Sequence, residues 1–295
     1  MRNYIDIHVH TVRDAQYEYG GRRQVCDVGD TLGFFDRFGV ERGILLPLAS
    51  PECGIAVCTQ SNEEVLDIAA EHPDRFVPFC NVDPRSCGNS AQAPLADVLK
   101  WYRDRGCKGL GEIFANLHFL DPRVQNLFAA AEEVGFPVTF HCCPFPGNNY
   151  GLVDGKGLPE LEESLRRFPK LRFFGHAQAF WCEIGEYEGT AVRFGFPKGK
   201  VKEGRIAKLM RKYPNLYGDL SANSGQNAIS RDPEYGAKFL TEFQDRLLFG
   251  MDVCAPRGFV SPLPVFLKEW LEKGLISETV FDKVAHDNAV RILGI

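Results

Sequence analysis

Nowhere in the 295 residues does an apolar run reach the roughly 18 positions that a membrane-spanning helix needs, so no such helix is expected. No Gly-x-Gly-x-x-Gly follows an apolar segment, which removes the usual signature of a dinucleotide-binding sheet. Cys-x-x-Cys is missing too, although ten cysteines are present, at 26, 53, 58, 80, 87, 107, 142, 143, 182 and 254. Several sit inside apolar segments, as in Phe79-Cys80 and Phe140-His141-Cys142, and no secretory leader is expected. They read as reduced thiols used as small buried hydrophobes. Positive charge is not in excess. Lysine and arginine number 34 against 39 aspartates and glutamates, and a net charge of −5 argues against nucleic acid or an anionic membrane as partner. The expected protein is cytoplasmic, takes a small molecule as its partner, and leaves a homo-oligomer open.

What is present is regular. Hydrophobic residues make up 44% and charged residues 25% of the chain, the balance of a soluble globular protein. Eight short apolar segments, at 4–10, 43–48, 75–80, 107–112, 137–141, 171–176, 216–221 and 246–252, alternate with helical patterns. Helix starts are marked by Ser61-Asn62-Glu63-Glu64, a capping box, and by Asp121-Pro122 and Asp232-Pro233, each a capping acid before a proline. Eight strands alternating with eight helices at this length predict an α/β fold, a (β/α)8 barrel. With no internal repeat or linker, residues 1–295 are expected to form one domain. Turns into the strands are tight, whereas the segments leaving them, at 11–29, 49–60, 142–157 and 177–204, are long. Such a barrel places its long loops on the C-terminal face, where chemistry concentrates. The glycine-bearing stretch 177–204 is expected to act as a lid.

The first segment, Tyr4-Ile5-Asp6-Ile7-His8-Val9-His10, carries a His-x-His pair. By strand alternation Asp6, His8 and His10 share one face, with Ile5, Ile7 and Val9 on the other. Two imidazoles spaced this way can converge on one divalent ion. Further strand ends carry Glu112, His141, His176 and Asp252. Each has a structural explanation taken alone: a satisfied core histidine, a cap, a pairing with a loop arginine. Jointly they place ligand-type residues on one end of five strands. His72, His118 and His286 lie in or beside helices and loops and are assigned structural or surface roles. Asp6 is a candidate partner for an imidazole N–H. Asp219 lies within the seventh strand, and Asn223 just beyond it can reach the mouth.

This ordered set resembles the amidohydrolase superfamily, specifically its amidohydrolase-related branch. The resemblance runs from Asp6-Ile7-His8-Val9-His10 through Phe140-His141, Phe174-Gly175-His176 and Phe249-Gly250-Met251-Asp252 to the closing Asp287-Asn288-Ala289-Val290-Arg291-Ile292-Leu293-Gly294. It implies a distorted TIM barrel holding one or two divalent metals, and an activity among hydrolases of amides and esters, deaminases and nonoxidative decarboxylases. The carboxylated lysine that often bridges the metals at strand four is replaced here by Gly111-Glu112-Ile113, similar to the bridging glutamate of barrel-type metal-dependent deoxyribonucleases. Lys108 lies four residues deeper, roughly 13 Å along a strand.

The resemblance implies a metal-dependent hydrolase that activates water against an amide, ester or related bond, with zinc or manganese as the ion. His8, His10 and Asp252 would hold the first ion and His141 and His176 the second, with Glu112 between them. Asp252 would move the proton, and His176 would serve as acid, base or electrophile in a one-metal site. The alternative is a nonoxidative decarboxylase of an aromatic or unsaturated acid. Arg13 and Arg257, following strands one and eight, are candidates to grip a carboxylate or phosphate. Trp181, beside Phe180, is a candidate for an apolar wall, and Asn223 for a substrate contact.

Overall fold

The computed structural model describes residues 2–15, 18–49, 60–189, 191–256 and 261–295. Its centre is a ring of parallel strands: β1 (Tyr4–Val9), β2 (Val40–Leu45), β3 (Phe76–Pro78), β4 (Leu110–Ile113), β5 (Val138–Cys143), β6 (Phe173–His176), β7 (Leu216–Asp219) and β8 (Leu247–Leu248). Regular ladders join β1 to β2 and β2 to β3, and run continuously from β4 to β8. A bridge between Cys80 and Leu110 connects the two groups. The ring closes where Ile7 N–H donates to Phe249 O at 3.0 Å and Asp252 N–H to His8 O at 3.1 Å. This is a TIM barrel, distorted because β3 and β8 are very short.

Local chemistry sets the helices as expected in two of three marked starts. Ser61 accepts from Glu64 N, and Asp121 accepts from Arg123 N ahead of Pro122. Asp232 instead turns to Val201 N and Lys200 Nζ. The box at Ser61 is half formed, because the Glu64 carboxylate accepts from Arg13 N rather than from the cap. A full capping box stands at Asp27 and Asp30, opening helix Val28–Phe38.

Two apolar layers hold the ring. The larger packs the helices onto the outer face of the strands. The smaller contains Ile5, Ile7, Ile44, Leu46, Val77, Phe79, Phe174, Tyr217 and Leu248, from strands on opposite sides of the ring, and so fills its interior. Ala289, Ile292 and Leu293 of the C-terminal helix Asn288–Leu293 belong to the same layer and close the barrel floor. Ile5 and Ile7 therefore face inward, against the simple alternation read from the sequence. The reason is a break in the β1–β2 register between Asp6 and Val9, which resets the side-chain phase before His8 and His10.

Lys108 lines a hollow at the floor with Arg42, Gly294 and Ile295, far from the strand ends. Eight cysteines are free thiols, six of them buried, while Cys53 and Cys58 lie outside the described residues. No helix among the described residues is long and apolar enough to cross a membrane. Ile292→Ala should open a void in the floor and lower the unfolding free energy by about 2–4 kcal/mol. Denaturant titration checks this, with metal content unchanged because the floor lies at the opposite end from His8.

Candidate active site

The end of β1 is shaped by Asp6. Its Oδ1 accepts the backbone N–H of His8 and of Met251, each at 3.0 Å, and so ties the strand to the segment after β8. Burial pushes this carboxyl up to about 7. Asp6 thus holds backbone, and the expected imidazole partner is a different residue. Asp219, at the end of β7, accepts from His8 Nδ1 at 2.6 Å. His10, just past the strand, donates from Nδ1 to Leu46 O at 2.9 Å. With both Nδ1 protons committed, the Nε2 atoms of His8 and His10 face each other 3.1 Å apart.

Two carboxylates reach into this gap, and each spans the same two groups. Glu112 Oε2 lies 3.1 Å from His8 Nε2 and 3.3 Å from His10 Nε2. Its Oε1 lies 2.9 Å from His141 Nδ1 and 3.8 Å from His176 Nε2. Asp252 Oδ1 is 3.7 Å from His8 Nε2 and 3.6 Å from His10 Nε2, and its Oδ2 is 3.7 Å from His176 Nε2. Donor atoms converge tightly in two sets, His8–Glu112–His176 and His8–His10–Asp252. His141 stands at the edge of them, on the far oxygen of Glu112.

Backbone geometry brings these groups in. Gly111, with φ +140°, precedes Glu112, and a Cβ there would sit 2.6 Å from Thr139 O. At Gly250 a Cβ would meet Ser221 Cβ at 2.8 Å and His8 Cβ at 3.2 Å, so only glycine lets the segment after β8 pass this close. The expected eighth strand is ordered as a ladder only over two residues, and Asp252 reaches the site from beyond it with φ +54°. Ala177 and Ala222, following the ends of β6 and β7, are also left-handed, at φ +82° and +58°. Three such residues at neighbouring strand ends mark this rim as strained.

The electrostatics call for positive charge. Burial alone would lower the His8 pKa, but Glu112, Asp219 and Asp252 outweigh it and hold it well above the usual value. Burial would raise Glu112 and Asp219, yet His8 keeps both below the ordinary carboxylate range. His176 is pushed down to about 4, by burial first and then by His8, so its ring is neutral at pH 7. Its Nδ1 lies 2.9 Å from Ser221 Oγ. A buried nitrogen–oxygen donor set with an excess of carboxylate suits a divalent ion, which would take the place of the proton these carboxylates hold on His8.

Above the donors is a cleft of about 270 Å³, bordered by His141, His176 and Asp252 and walled by Tyr150, Phe196 and Asn223 among others. Asn223 is therefore at the mouth. Phe196 belongs to the stretch expected as a lid. Trp181 is not at the mouth: it is 2% exposed, packs in the outer core, and donates from Nε1 to Asp219 O at 2.8 Å. Phe180 is buried in the same layer. Arg13 turns away to Glu71, at 2.7 Å. Arg257 lies outside the described residues. His118 pairs with Glu160, and His286 with Glu41 and Asp287. Sequence reasoning missed Ser221 and Tyr150, and left Asp219 without a role. Their signal was only position, one strand end and one long loop.

No curated protein matches the chain. Solved structures do. An uncharacterized TIM-barrel protein from Bordetella bronchiseptica superposes with a TM-score of 0.63 at 18% identity, covering 99% of this chain and 98% of that one. A protein assigned as a 2-pyrone-4,6-dicarboxylic acid hydrolase from Pseudomonas putida gives a TM-score of 0.62 at 14% identity, covering 100% and 98%. A 5-carboxyvanillate decarboxylase from Novosphingobium aromaticivorans, with bound manganese and 3-methoxy-4-hydroxy-5-nitrobenzoic acid, gives 0.57 at 18% identity, covering 92% and 82%. At these identities the likeness is one of fold. The family model for amidohydrolases matches residues 5–295, from the first barrel strand to the helix that closes the floor, and the chain belongs to that family.

Proposed function

We propose that the protein is a metal-dependent hydrolase acting on a small molecule, with zinc or manganese held by His8, His10, Glu112, His141, His176 and Asp252. The observation that carries this reading is the pair of Nε2 atoms 3.1 Å apart, their Nδ1 protons already committed, under carboxylates that each span two nitrogen groups. A bound divalent ion supplies Lewis acidity, polarising the scissile carbonyl and acidifying water. The chain's own residues do the rest. Asp252, 17% exposed at the cleft floor, accepts the proton from the attacking water and returns it to the leaving group. His176 faces the same space as a neutral ring, steadied by Ser221. Asp219 keeps the His8 proton on Nδ1 and so keeps Nε2 available as a donor.

A second reading, nonoxidative decarboxylation of an aromatic acid, is favoured by the aromatic walls at Tyr150 and Phe196 and by the decarboxylase among the similar structures. In that reaction His176 or Asp252 would deliver a proton to carbon. A panel of esters, amides, lactones and aromatic acids with defined metals separates the two.

Nuclearity is tested at Glu112. If the site held two cations, their mutual repulsion would be offset by a carboxylate between them, and Glu112 is placed for that role. Glu112→Gln keeps the shape and removes the charge, so if Glu112 bridges two ions, bound metal should fall from near two equivalents toward one with the far-ultraviolet circular dichroism unchanged, whereas in a one-metal site it should not change. Unchanged stoichiometry in the variant would remove Glu112 from the bridging role.

A further inference from the structure

At the opposite end of the barrel from His8, the floor hollow bordered by Lys108 has a volume of about 440 Å³, against about 270 Å³ for the cleft above the metal donors. That is room for a small organic molecule, whose sites begin at roughly 300 Å³. Its wall is apolar, made by Leu66 and Ala69 of helix Asn62–Glu71 and by Phe76 and Pro78 of β3. Its side chains carry charge of one sign only. Arg42, Arg105 and Lys108 border it, and no aspartate or glutamate among the described residues does.

Each cation arrives from a separate segment. In β2, Arg42 shares a face with Ile44 and Leu46, which fill the barrel interior, so its side chain leaves that layer at the floor and is only partly exposed. Arg105 follows helix Leu95–Arg103. Its guanidinium lies 3.3 Å from the centre of the Trp101 ring and donates from Nη1 to Trp101 O at 3.1 Å, which fixes the group and leaves its other N–H bonds available. Lys108 is anchored by its backbone N–H, which donates to Pro78 O at 2.9 Å. Among the described residues no acceptor meets the side chain of Arg42 or of Lys108. The acids next to these segments are engaged elsewhere: Glu41 with His286 at 3.0 Å, Glu71 with Arg13 at 2.7 Å and Asp104 with Arg103 at 2.9 Å. Ile295 also borders the hollow and makes no ion pair with the three cations. Like charges gathered on one apolar hollow repel, and a bound anion offsets that.

We propose that the floor hollow is a binding site for an organic phosphate, with its dianionic head on Arg42, Arg105 and Lys108 and its apolar body along Leu66, Ala69, Phe76 and Pro78. Two planar guanidiniums and an ammonium suit a phosphate better than a carboxylate. The phosphate offers three acceptor oxygens and about two negative charges, the carboxylate two oxygens and one charge. Gly294, just past the helix that closes the floor, borders the same hollow, so an occupant touches the segment that seals the barrel and none of the metal donors. The site stands or falls apart from the metal-dependent reading.

The test titrates zinc-loaded, full-length protein calorimetrically with (1-naphthylmethyl)phosphonate, a phosphate monoester mimic that cannot be hydrolysed, in alkaline buffer where its head is dianionic. 1-Naphthylacetate serves as the carboxylate counterpart. Wild type should bind the phosphonate with a Kd of about 100 μM or below. Arg42→Gln combined with Lys108→Gln should weaken it at least about tenfold, with metal content and far-ultraviolet circular dichroism unchanged. Arg42→Lys combined with Lys108→Arg keeps both charges and should stay within about threefold of wild type. Binding that disappears in the glutamine variant belongs to the floor, whereas anions held at the metal donors persist in it. The floor component should be about tenfold weaker for the acetate. A phosphonate titration that is the same in wild type and the glutamine variant overturns the site, and a floor component of equal strength for the acetate overturns the phosphate class.

Discussion

His8→Ala is expected to leave the protein with little or no bound metal and to lower kcat/KM by about a thousandfold or more, roughly 4 kcal/mol of transition-state stabilisation. No other donor belongs to both convergent sets, so its loss breaks them together. The loss also strands Glu112 and Asp219, two fully buried carboxylates that His8 balances. An uncompensated buried charge costs about 3–5 kcal/mol, so the variant should melt earlier as well. Zinc addition separates the two effects. Excess zinc should raise the wild-type melting temperature, by the equivalent of about 2.7 kcal/mol at a hundred times its Kd, and should leave the variant unmoved. A variant that retained its metal and its zinc-dependent melting shift would place the ion somewhere else.

The second large effect is expected at Asp219, which no metal need touch. Its carboxylate fixes the proton of His8 on Nδ1. In Asp219→Asn an amide N–H can face that nitrogen, the ring then carries its proton on Nε2, and the donor pointing at the ion is lost. Removing such a partner typically weakens metal affinity by about 10–100-fold. Asp6→Asn is the informative contrast. Asp6 is equally buried and also sits beside His8, but its hydrogen bonds among the described residues are to backbone N–H groups. That substitution should be felt in the melting temperature, with metal affinity within about threefold of wild type. Competition with a chromogenic chelator measures both; equal losses at the two positions would mean that Asp219 acts through general packing.

The contrast between these two aspartates also marks where the sequence stopped being legible. The ring of ligand-type residues could be read because a barrel sets every strand end on one rim, whatever the details of pleat. The choice between Asp6 and Asp219 depended on the pleat itself. Alternation assumes an unbroken strand, and the register break after Asp6 reverses which residues face inward, so Ile5 and Ile7 fill the barrel while the partner of His8 comes from β7. Trp181 follows His176 by five residues and reads as a cleft wall. The left-handed turn at Ala177 starts a short helix whose Trp181 packs in the outer core. Arg13 reads as a free cation after β1, but the helix Asn62–Glu71 supplies Glu71 to receive it. In each case the deciding contact is remote in sequence, and a single chain read in order has no means of weighing it.

The closure of the ring has a consequence for how the protein is made. Arg2 N–H meets Asp282 across 280 positions, Ile7 meets Phe249, and the floor beneath Ile5 and Ile7 is filled by Ile292 and Leu293. The first barrel strand to be synthesised is therefore among the last to be sealed, at a synthesis rate of about 5–20 residues per second. Until β8 and helix Asn288–Leu293 emerge, the interior-facing isoleucines of β1 have no floor and its edge toward β8 has no neighbour. Contacts this distant along the chain also slow the closing search itself. The nascent barrel thus presents an unpaired apolar strand for tens of seconds, and this is the interval in which a chaperone, or another nascent copy, competes with β8 for it.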